Sequence, residues 1–272
     1  MALKIRDIDE TQAPLLDHLI ELRGRLLRCV IALAVAFGVC LYFAKPIFAL
    51  LVQPLADAFP KGQGRLVYTK LYEAFFVEIK VALFAAFFVS FPVIANQLWQ
   101  FVAPGLYAKE KKAFLPFLLA TPILFIAGAS LAYFVVMPTM FKFLLGFEGI
   151  TAGIPQEALP AMGDYLTLVM HLILAFGISF LLPVLLLLLN RAGIVSREQM
   201  TKARRYVIVG IFIVAAVVTP PDVISQLILA IPLVVLFEIS LLLMRPADKM
   251  FGRDEDEAEE QPATPALPEQ IS

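Results

Sequence analysis

The sequence predicts an all-α integral membrane protein with six transmembrane helices and with both chain ends in the cytoplasm. Of its 272 residues, 60% are hydrophobic and only 17% are charged, whereas soluble domains are about 45–50% apolar and about 25% charged. A soluble fold of this size cannot bury so much apolar surface, so lipid must solvate part of it. Long apolar runs and an uneven distribution of Lys and Arg between the loops support the same fold class.

Four apolar runs are long enough to cross the bilayer as single helices. A hydrocarbon core of about 30 Å requires roughly 20 apolar residues in a helix. The runs are Leu26–Ala44, Ala74–Ala95, Phe114–Met137 and Tyr165–Leu189. Prolines inside spans two, three, four and six predict kinked helices; they are Pro92, Pro122, Pro183 and Pro232.

The fifth apolar stretch, Tyr206–Pro246, is too long for one span and contains the sequence Thr219-Pro-Pro-Asp222. Two consecutive prolines prevent a helix from continuing, and Asp222 is suited to cap a new one. We therefore predict a short hairpin, in which span five is Tyr206–Val218 and span six is Val223–Met244. Span five is then only about 20 Å long, which is short for the bilayer.

The charges set the orientation. With the N-terminus inside, 16 of the 22 Lys and Arg residues lie on the cytoplasmic side, as the positive-inside rule requires. We expect three regions. Residues 1–25 form a cytoplasmic N-terminal segment with an amphipathic interfacial helix, residues 26–246 form the six-helix transmembrane domain, and residues 247–272 form a disordered acidic cytoplasmic tail.

Glu21 lies in a stretch with helical periodicity. Between Pro14 and Arg28, leucines recur at i, i+4, i+7 and i+11, which predicts an amphipathic helix at the inner interface that continues into span one. Two interpretations of Glu21 remain open. It can pair with Arg25 one turn further on, for roughly 0.2–0.5 kcal/mol, or it can receive a cation from a binding partner.

Other polar residues also allow two interpretations. Glu110 is the only acid beside the three lysines of the first inner loop. It is either an ordinary solvated charge or a carboxylate presented beside aromatic residues. Glu238 lies about 9 Å inside the inner end of span six, and Gln226 lies one turn into that helix. These two can join helices within the chain or dock another membrane helix.

Six segments together resemble the TatC family of the bacterial twin-arginine protein translocase, in the order in which the family has them. They are His18–Leu26, Phe101–Tyr107 followed by Glu110, Ala132–Phe134, Ser179-Phe180 with Pro183, Thr219–Gln226, and Leu236–Glu238. The resemblance covers about residues 14–245. It implies a multi-pass protein of the bacterial cytoplasmic membrane, driven by the proton motive force, that serves as receptor and scaffold for exporting folded proteins with twin-arginine signal peptides.

The resemblance also implies roles for particular residues. Glu21 and Glu110 would receive the two arginines of the signal peptide, with Phe101 beside them and Arg23 in the same surface. Single-span TatA-like and TatB-like partners would dock around spans five and six in homo- and hetero-oligomers. The residues expected there are Thr219, Asp222, Gln226 and Glu238.

One position departs from the family. Many relatives carry Glu or Gln two residues before the proline of span four, where this chain has Leu181. We expect that the chain either lacks that polar contact or supplies it from another residue.

Other function classes receive less support from the sequence. A secondary transporter of a small molecule or ion should bring polar residues together at the midplane, whereas this chain has them mostly at the two faces. The sequence contains no H-E-x-x-H, G-x-S-x-G, P-loop or C-x-x-C motif. We therefore expect no catalytic residues, cofactor, metal ion or nucleic-acid partner.

Overall fold

The computed structural model of the chain describes residues 9–60, 64–106, 115–151, 154–191, 194–219 and 223–250. The described helices are α1 (Asp9–Tyr42), α2 (Ala44–Ala56), α3 (Glu73–Leu106), α4 (Leu115–Leu131), α5 (Met137–Leu145), α6 (Met162–Ser179), α7 (Leu182–Arg191), α8 (Arg197–Lys202), α9 (Arg204–Val218) and α10 (Val223–Met250). A π-helical turn, Ala132–Val136, joins α4 to α5. A short antiparallel hairpin pairs β1 (Gly149–Thr151) with β2 (Ile154–Gln156).

The predicted all-α membrane fold is confirmed. Within the described residues, five segments are long and apolar enough to cross a membrane: Ile20–Tyr42, Glu73–Phe101, Phe117–Leu145, Met162–Asn190 and Val223–Met244. The remaining span, the fifth in chain order, is α9. Helix α1 is continuous over 34 residues and passes through the predicted boundary at residues 25 and 26 without a break, so the interfacial helix and span one are one helix.

Spans five and six differ in length. Helix α9 has 15 residues and rises about 22 Å, less than the hydrocarbon thickness of about 30 Å. Helix α10 has 28 residues, so of the two spans predicted to be short only the fifth falls short of the bilayer. The apolar run of span six is long enough to cross, and its helix continues past the predicted domain boundary at 246 to Met250. Residues 251–272 of the predicted tail lie outside the described residues.

Of the four prolines predicted to kink their helices, Pro92, Pro122 and Pro232 lie inside the continuous helices α3, α4 and α10. Span four is divided before Pro183, which has no N–H to bond the carbonyl of Ser179, the last residue of α6. The π-helical turn precedes Pro138, which the sequence analysis did not single out. There the Thr139 hydroxyl donates to the Val135 carbonyl at 2.7 Å.

Small residues let the helices approach closely, as is common in membrane bundles. Helices α1 and α3 meet through buried alanines and a cysteine, among them Ala36, Ala82 and Ala86. Helices α4 and α6 meet at Gly128, where an added Cβ would lie 2.4 Å from the Phe176 carbonyl oxygen. No side chain larger than hydrogen can occupy that position unless the two helices separate.

Two tyrosines hold the outer helix α2 on the bundle. Pro54 lies inside α2 and has no N–H, so the Leu50 carbonyl loses its helical donor. The Tyr133 hydroxyl donates to that oxygen at 2.7 Å, and Tyr165 donates to the neighbouring Leu51 carbonyl at 2.8 Å. Tyr133 belongs to the π-helical turn, so the bulge in span three carries the side chain that compensates for Pro54.

Glu73, the first residue of α3, ties the two outer loops together. Its Oε2 accepts from the backbone N–H of Thr69 at 2.9 Å and from that of Lys70 at 3.3 Å. Its Oε1 accepts from the N–H of Gly163 at 2.8 Å, in the first turn of α6. One carboxylate thus satisfies backbone donors at the starts of two helices, which an acidic group does well there.

Replacing Tyr133 by Phe should destabilise the protein by about 0.5–1.5 kcal/mol, because the Leu50 carbonyl then loses its hydrogen-bond donor. The thermal unfolding midpoint of the protein in nanodiscs measures this loss. Tyr42→Phe removes a hydroxyl from an exposed tyrosine and should leave the midpoint unchanged. In a Pro54→Ala background, the N–H of residue 54 can bond the Leu50 carbonyl, so Tyr133→Phe should lower the unfolding midpoint by less. Equal losses in both backgrounds would contradict this account of α2.

Candidate functional site

The inner ends of α1 and α3 are joined by an arginine that bridges two side chains. The Nε of Arg25 donates to Oε1 of Glu21 at 3.0 Å, and a second guanidinium nitrogen forms an ion pair with the same oxygen. A third nitrogen donates to Oε1 of Gln100 on α3 at 3.0 Å. Arg25 therefore fixes the Glu21 carboxylate relative to α3.

A second row of amides supports this bridge. The Nε2 of Gln100 donates to Oδ1 of Asn96 at 2.9 Å, one turn back along α3. Arg28 on α1 reaches Oε1 of Gln97 over 3.5 Å, a long contact. Gln97 is buried, so its amide is held between the helices. We refer to Glu21, Arg25, Gln97 and Gln100 as the α1–α3 polar junction.

The remaining predicted site residues take different positions around this junction. Phe101 directly follows Gln100 and is half-buried. Arg23 is exposed, but two residues along a continuous helix correspond to about 200° of rotation, so it points away from the Glu21 stripe. Glu110 lies outside the described residues. The structure thus joins Glu21 to the residue that precedes Phe101.

The junction can bind a guanidinium. Both contacts that Arg25 makes with Glu21 are to Oε1. Among the described residues, no hydrogen bond to Oε2 of Glu21 is seen, so this oxygen can accept from an incoming donor. The carboxylate is 41% exposed, whereas the Arg25 side chain is only 15% exposed. Arg25 therefore fixes the Glu21 carboxylate on the protein side, while the carboxylate remains accessible to solvent. This arrangement is suited to a charge-assisted bond from an incoming cation.

The glutamines of the junction were missed by the sequence analysis. Gln97 and Gln100 lie 69 and 75 residues from their arginine partners, and no local pattern relates them. The only available signal was their spacing of three in α3, which places two amides on one helix face.

Two of the residues predicted to dock partner helices contact their own chain. Thr219 is buried, and its hydroxyl donates to the Ala215 carbonyl at 2.9 Å. Gln226 on α10 donates through Nε2 to the Phe212 carbonyl on α9 at 3.2 Å. Gln226 therefore joins α10 to α9, whereas Thr219 bonds back to its own helix. Asp222 lies outside the described residues.

Glu238, the fourth of these residues, is half-buried. The Nε of Arg204, at the start of α9, donates to Oε1 of Glu238 on α10 at 2.5 Å. The two side chains are 52% and 31% exposed. The pair joins α9 to α10 at the cytoplasmic end of the hairpin. Its charged groups are partly accessible at the surface of the bundle.

An apolar groove of about 660 Å³ lies between α3, α4, α6, α7 and α9. Leu181 lines it, so the position singled out in span four contributes an apolar side chain to the groove. The Trp99 indole N–H donates to the Thr121 hydroxyl at 2.7 Å, and that hydroxyl donates to the Phe117 carbonyl at 2.8 Å. These polar groups in the wall of the groove are therefore engaged by the protein itself.

Among the described residues, no group of three or more His, Cys, Asp or Glu side chains is placed to hold a metal ion. The two cysteines, Cys29 and Cys40, are both free thiols.

Comparisons with known proteins agree with this architecture. The sequence model of the family "Sec-independent protein translocase protein (TatC)" matches residues 17–232. The Sec-independent protein translocase protein TatC of Magnetococcus marinus is 48% identical over 93% of this chain and 90% of its own length. The protein of the same name from Escherichia coli K12 is 43% identical over 88% of this chain and 90% of its own length.

A solved structure has the same fold. The crystal structure of the twin arginine translocase receptor TatC in DDM aligns with a TM-score of 0.72 at 41% identity, over 83% of this chain and 98% of that one. These matches confirm the resemblance seen in the six sequence segments. The chain is a multi-pass protein of the bacterial inner membrane and belongs to the TatC family of protein translocase components.

Proposed function

We propose that this chain is the signal-peptide receptor and core scaffold of a translocase that exports folded proteins bearing twin-arginine signal peptides and is driven by the proton motive force. The observation that carries the proposal is the α1–α3 polar junction. At the cytoplasmic end of two spans, an exposed carboxylate already accepts a guanidinium and is held in place from α3. A related protein of the same fold is named a twin arginine translocase receptor.

The chemistry of the junction favours arginine over lysine. A guanidinium is planar and can direct two N–H donors at one oxygen, as Arg25 does at Oε1 of Glu21, whereas the tetrahedral ammonium of lysine points its donors in different directions. Glu21 and Glu110 would each receive one arginine of the peptide, with Phe101 covering the site. Arg23 would lie on the adjoining side of α1, where it can contact the peptide but cannot share the Glu21 stripe.

We further propose that single-span TatA-like and TatB-like subunits dock on the α9–α10 edge in hetero-oligomers that contain more than one copy of this chain. The lipid-facing side of this edge is apolar, with Val217 81% exposed and Val223 70% exposed. Thr219 and Gln226 would set the shape of the turn, with Asp222 beside them, and the Arg204–Glu238 pair would offer charges to a partner. Because α9 is short, the edge also favours local thinning of the bilayer.

A secondary transporter of a small molecule or ion is the weaker candidate. Such a protein places polar groups and broken helices around a midplane site. The groove lined by Leu181 is mostly apolar, and its Trp99 indole and Thr121 hydroxyl are already bonded to each other. The exposed charges lie at the membrane faces, where a water-soluble peptide would arrive.

Replacing Glu21 by Gln should weaken binding of an Arg-Arg signal peptide about tenfold or more, because a charge-assisted hydrogen bond contributes about 1.5–3 kcal/mol. Titration of the protein in nanodiscs with a labelled peptide measures the dissociation constant. The matched control is Glu198→Gln, which removes an exposed carboxylate from α8 on the same membrane face and should have no effect. Equal losses in the two variants would count against the proposed site.

Replacing Arg25 by Lys should weaken peptide binding roughly tenfold while the protein still inserts and folds, because one ammonium cannot bridge Glu21 and Gln100. Arg25 is a positioning residue in this account. Arg205→Lys is the control, since Arg205 bonds its neighbour Tyr206 on α9 and is far along the chain from the junction. Wild-type affinity in Arg25→Lys would show that the bridge does not position Glu21.

A further inference from the structure

A polar pocket of about 460 Å³ lies at the outer ends of α3 and α6, on the opposite face from the junction. On α3 it is lined by Glu73, Phe76, Val77 and Lys80. This spacing of i, i+3, i+4 and i+7 makes one continuous stripe of the helix. The pocket is therefore a structured cleft along α3, with a polar rim and an apolar wall.

Gly163 at the start of α6 keeps the pocket open. A Cβ there would lie 2.7 Å from Oε1 of Glu73. Its neighbours Asp164 and Thr167 form the α6 wall, and the Thr167 hydroxyl donates to the Gly163 carbonyl at 2.7 Å. The missing side chain lets Glu73 reach the α6 backbone and leaves room beside it.

The charges of the pocket are not equivalent. Glu73 is occupied by backbone donors from Thr69, Lys70 and Gly163. Lys70, Lys80 and Asp164 are exposed, and neither ion pair formed by the described residues involves them. The pocket thus offers two ammonium groups and one carboxylate to a ligand.

The surrounding side chains set the depth of the pocket in the membrane. Tyr68, Tyr72 and Phe76 are all more than half exposed around it, as is Leu71, which is 93% exposed. Exposed tyrosines of a membrane protein sit at the level of the lipid headgroups. Lys80 lies two helical turns after Glu73, about 10 Å further along α3 and deeper in the membrane. Its flexible side chain can extend back toward the interface.

We propose that this pocket binds the headgroup of a zwitterionic aminophospholipid of the outer leaflet. The phosphate would accept from Lys70 and Lys80, and the ammonium of the headgroup would donate to Asp164. One acyl chain would lie along Phe76 and Val77. Lysine-lined pockets between membrane helices are suited to lipid phosphates, and the single available carboxylate distinguishes an amine-bearing headgroup from an anionic one.

The test measures lipid affinity of the delipidated full-length protein in detergent. Dihexanoyl phosphatidylethanolamine, phosphatidylcholine and phosphatidylglycerol are titrated separately, with phosphoethanolamine and inorganic phosphate as soluble competitors. The ethanolamine lipid should bind most tightly. Lys80→Gln and Lys70→Gln should each weaken it about tenfold, as expected for the loss of a charge-assisted bond.

Two variants make the test specific. Asp164→Asn should reduce the preference for ethanolamine over choline and leave the choline lipid unaffected. Lys45→Gln removes an exposed ammonium from α2 outside the pocket and should leave every affinity unchanged. The proposal is overturned if Lys45→Gln weakens binding as much as Lys80→Gln, if phosphatidylglycerol binds most tightly, or if inorganic phosphate competes as well as phosphoethanolamine.

Discussion

The hydrocarbon core offers no hydrogen-bond partners, so every polar group inside the bundle has to be satisfied by the chain itself. Pro54, which removes a donor inside α2, shows how the chain responds. Tyr133 supplies a donor for the carbonyl that Pro54 leaves unpaired, and the π-helical turn carries that tyrosine. The same constraint explains why Trp99 and Thr121 pair beside the apolar groove.

The charged groups that this account offers to partners lie at the two faces. At the inner face, Arg25 holds Glu21 against α3 while the carboxylate stays open outward. At the outer face, Glu73 binds the loops together and leaves two lysines and Asp164 exposed around a pocket. The bundle therefore presents a carboxylate to the cytoplasm and a mixed cationic surface to the outer leaflet.

Much of the fold could be predicted because span lengths, charge distribution and double prolines are local properties of the sequence. The hairpin around 220 and 221 and the short α9 follow from them directly. The pairing of Arg25 with Gln100 could not, since it joins residues 75 positions apart. The π-helical turn also escaped prediction, because its sequence is compatible with an ordinary helix. The pairing of Glu21 with Arg25 one turn further on was one of the two interpretations drawn from the sequence, but the glutamines of α3 that contact Arg25 and Arg28 come from packing.

The most direct test of the central claim is crosslinking from a photoreactive residue on each face. Ile20, which precedes Glu21, is 68% exposed, and Leu71 on the outer side is 93% exposed. In membrane vesicles, position 20 should capture an Arg-Arg signal peptide but not its Lys-Lys counterpart, and position 71 should capture neither before transport begins. Capture of both peptides with equal yield at position 20, or stronger capture at position 71, would contradict recognition of arginine at the α1–α3 polar junction.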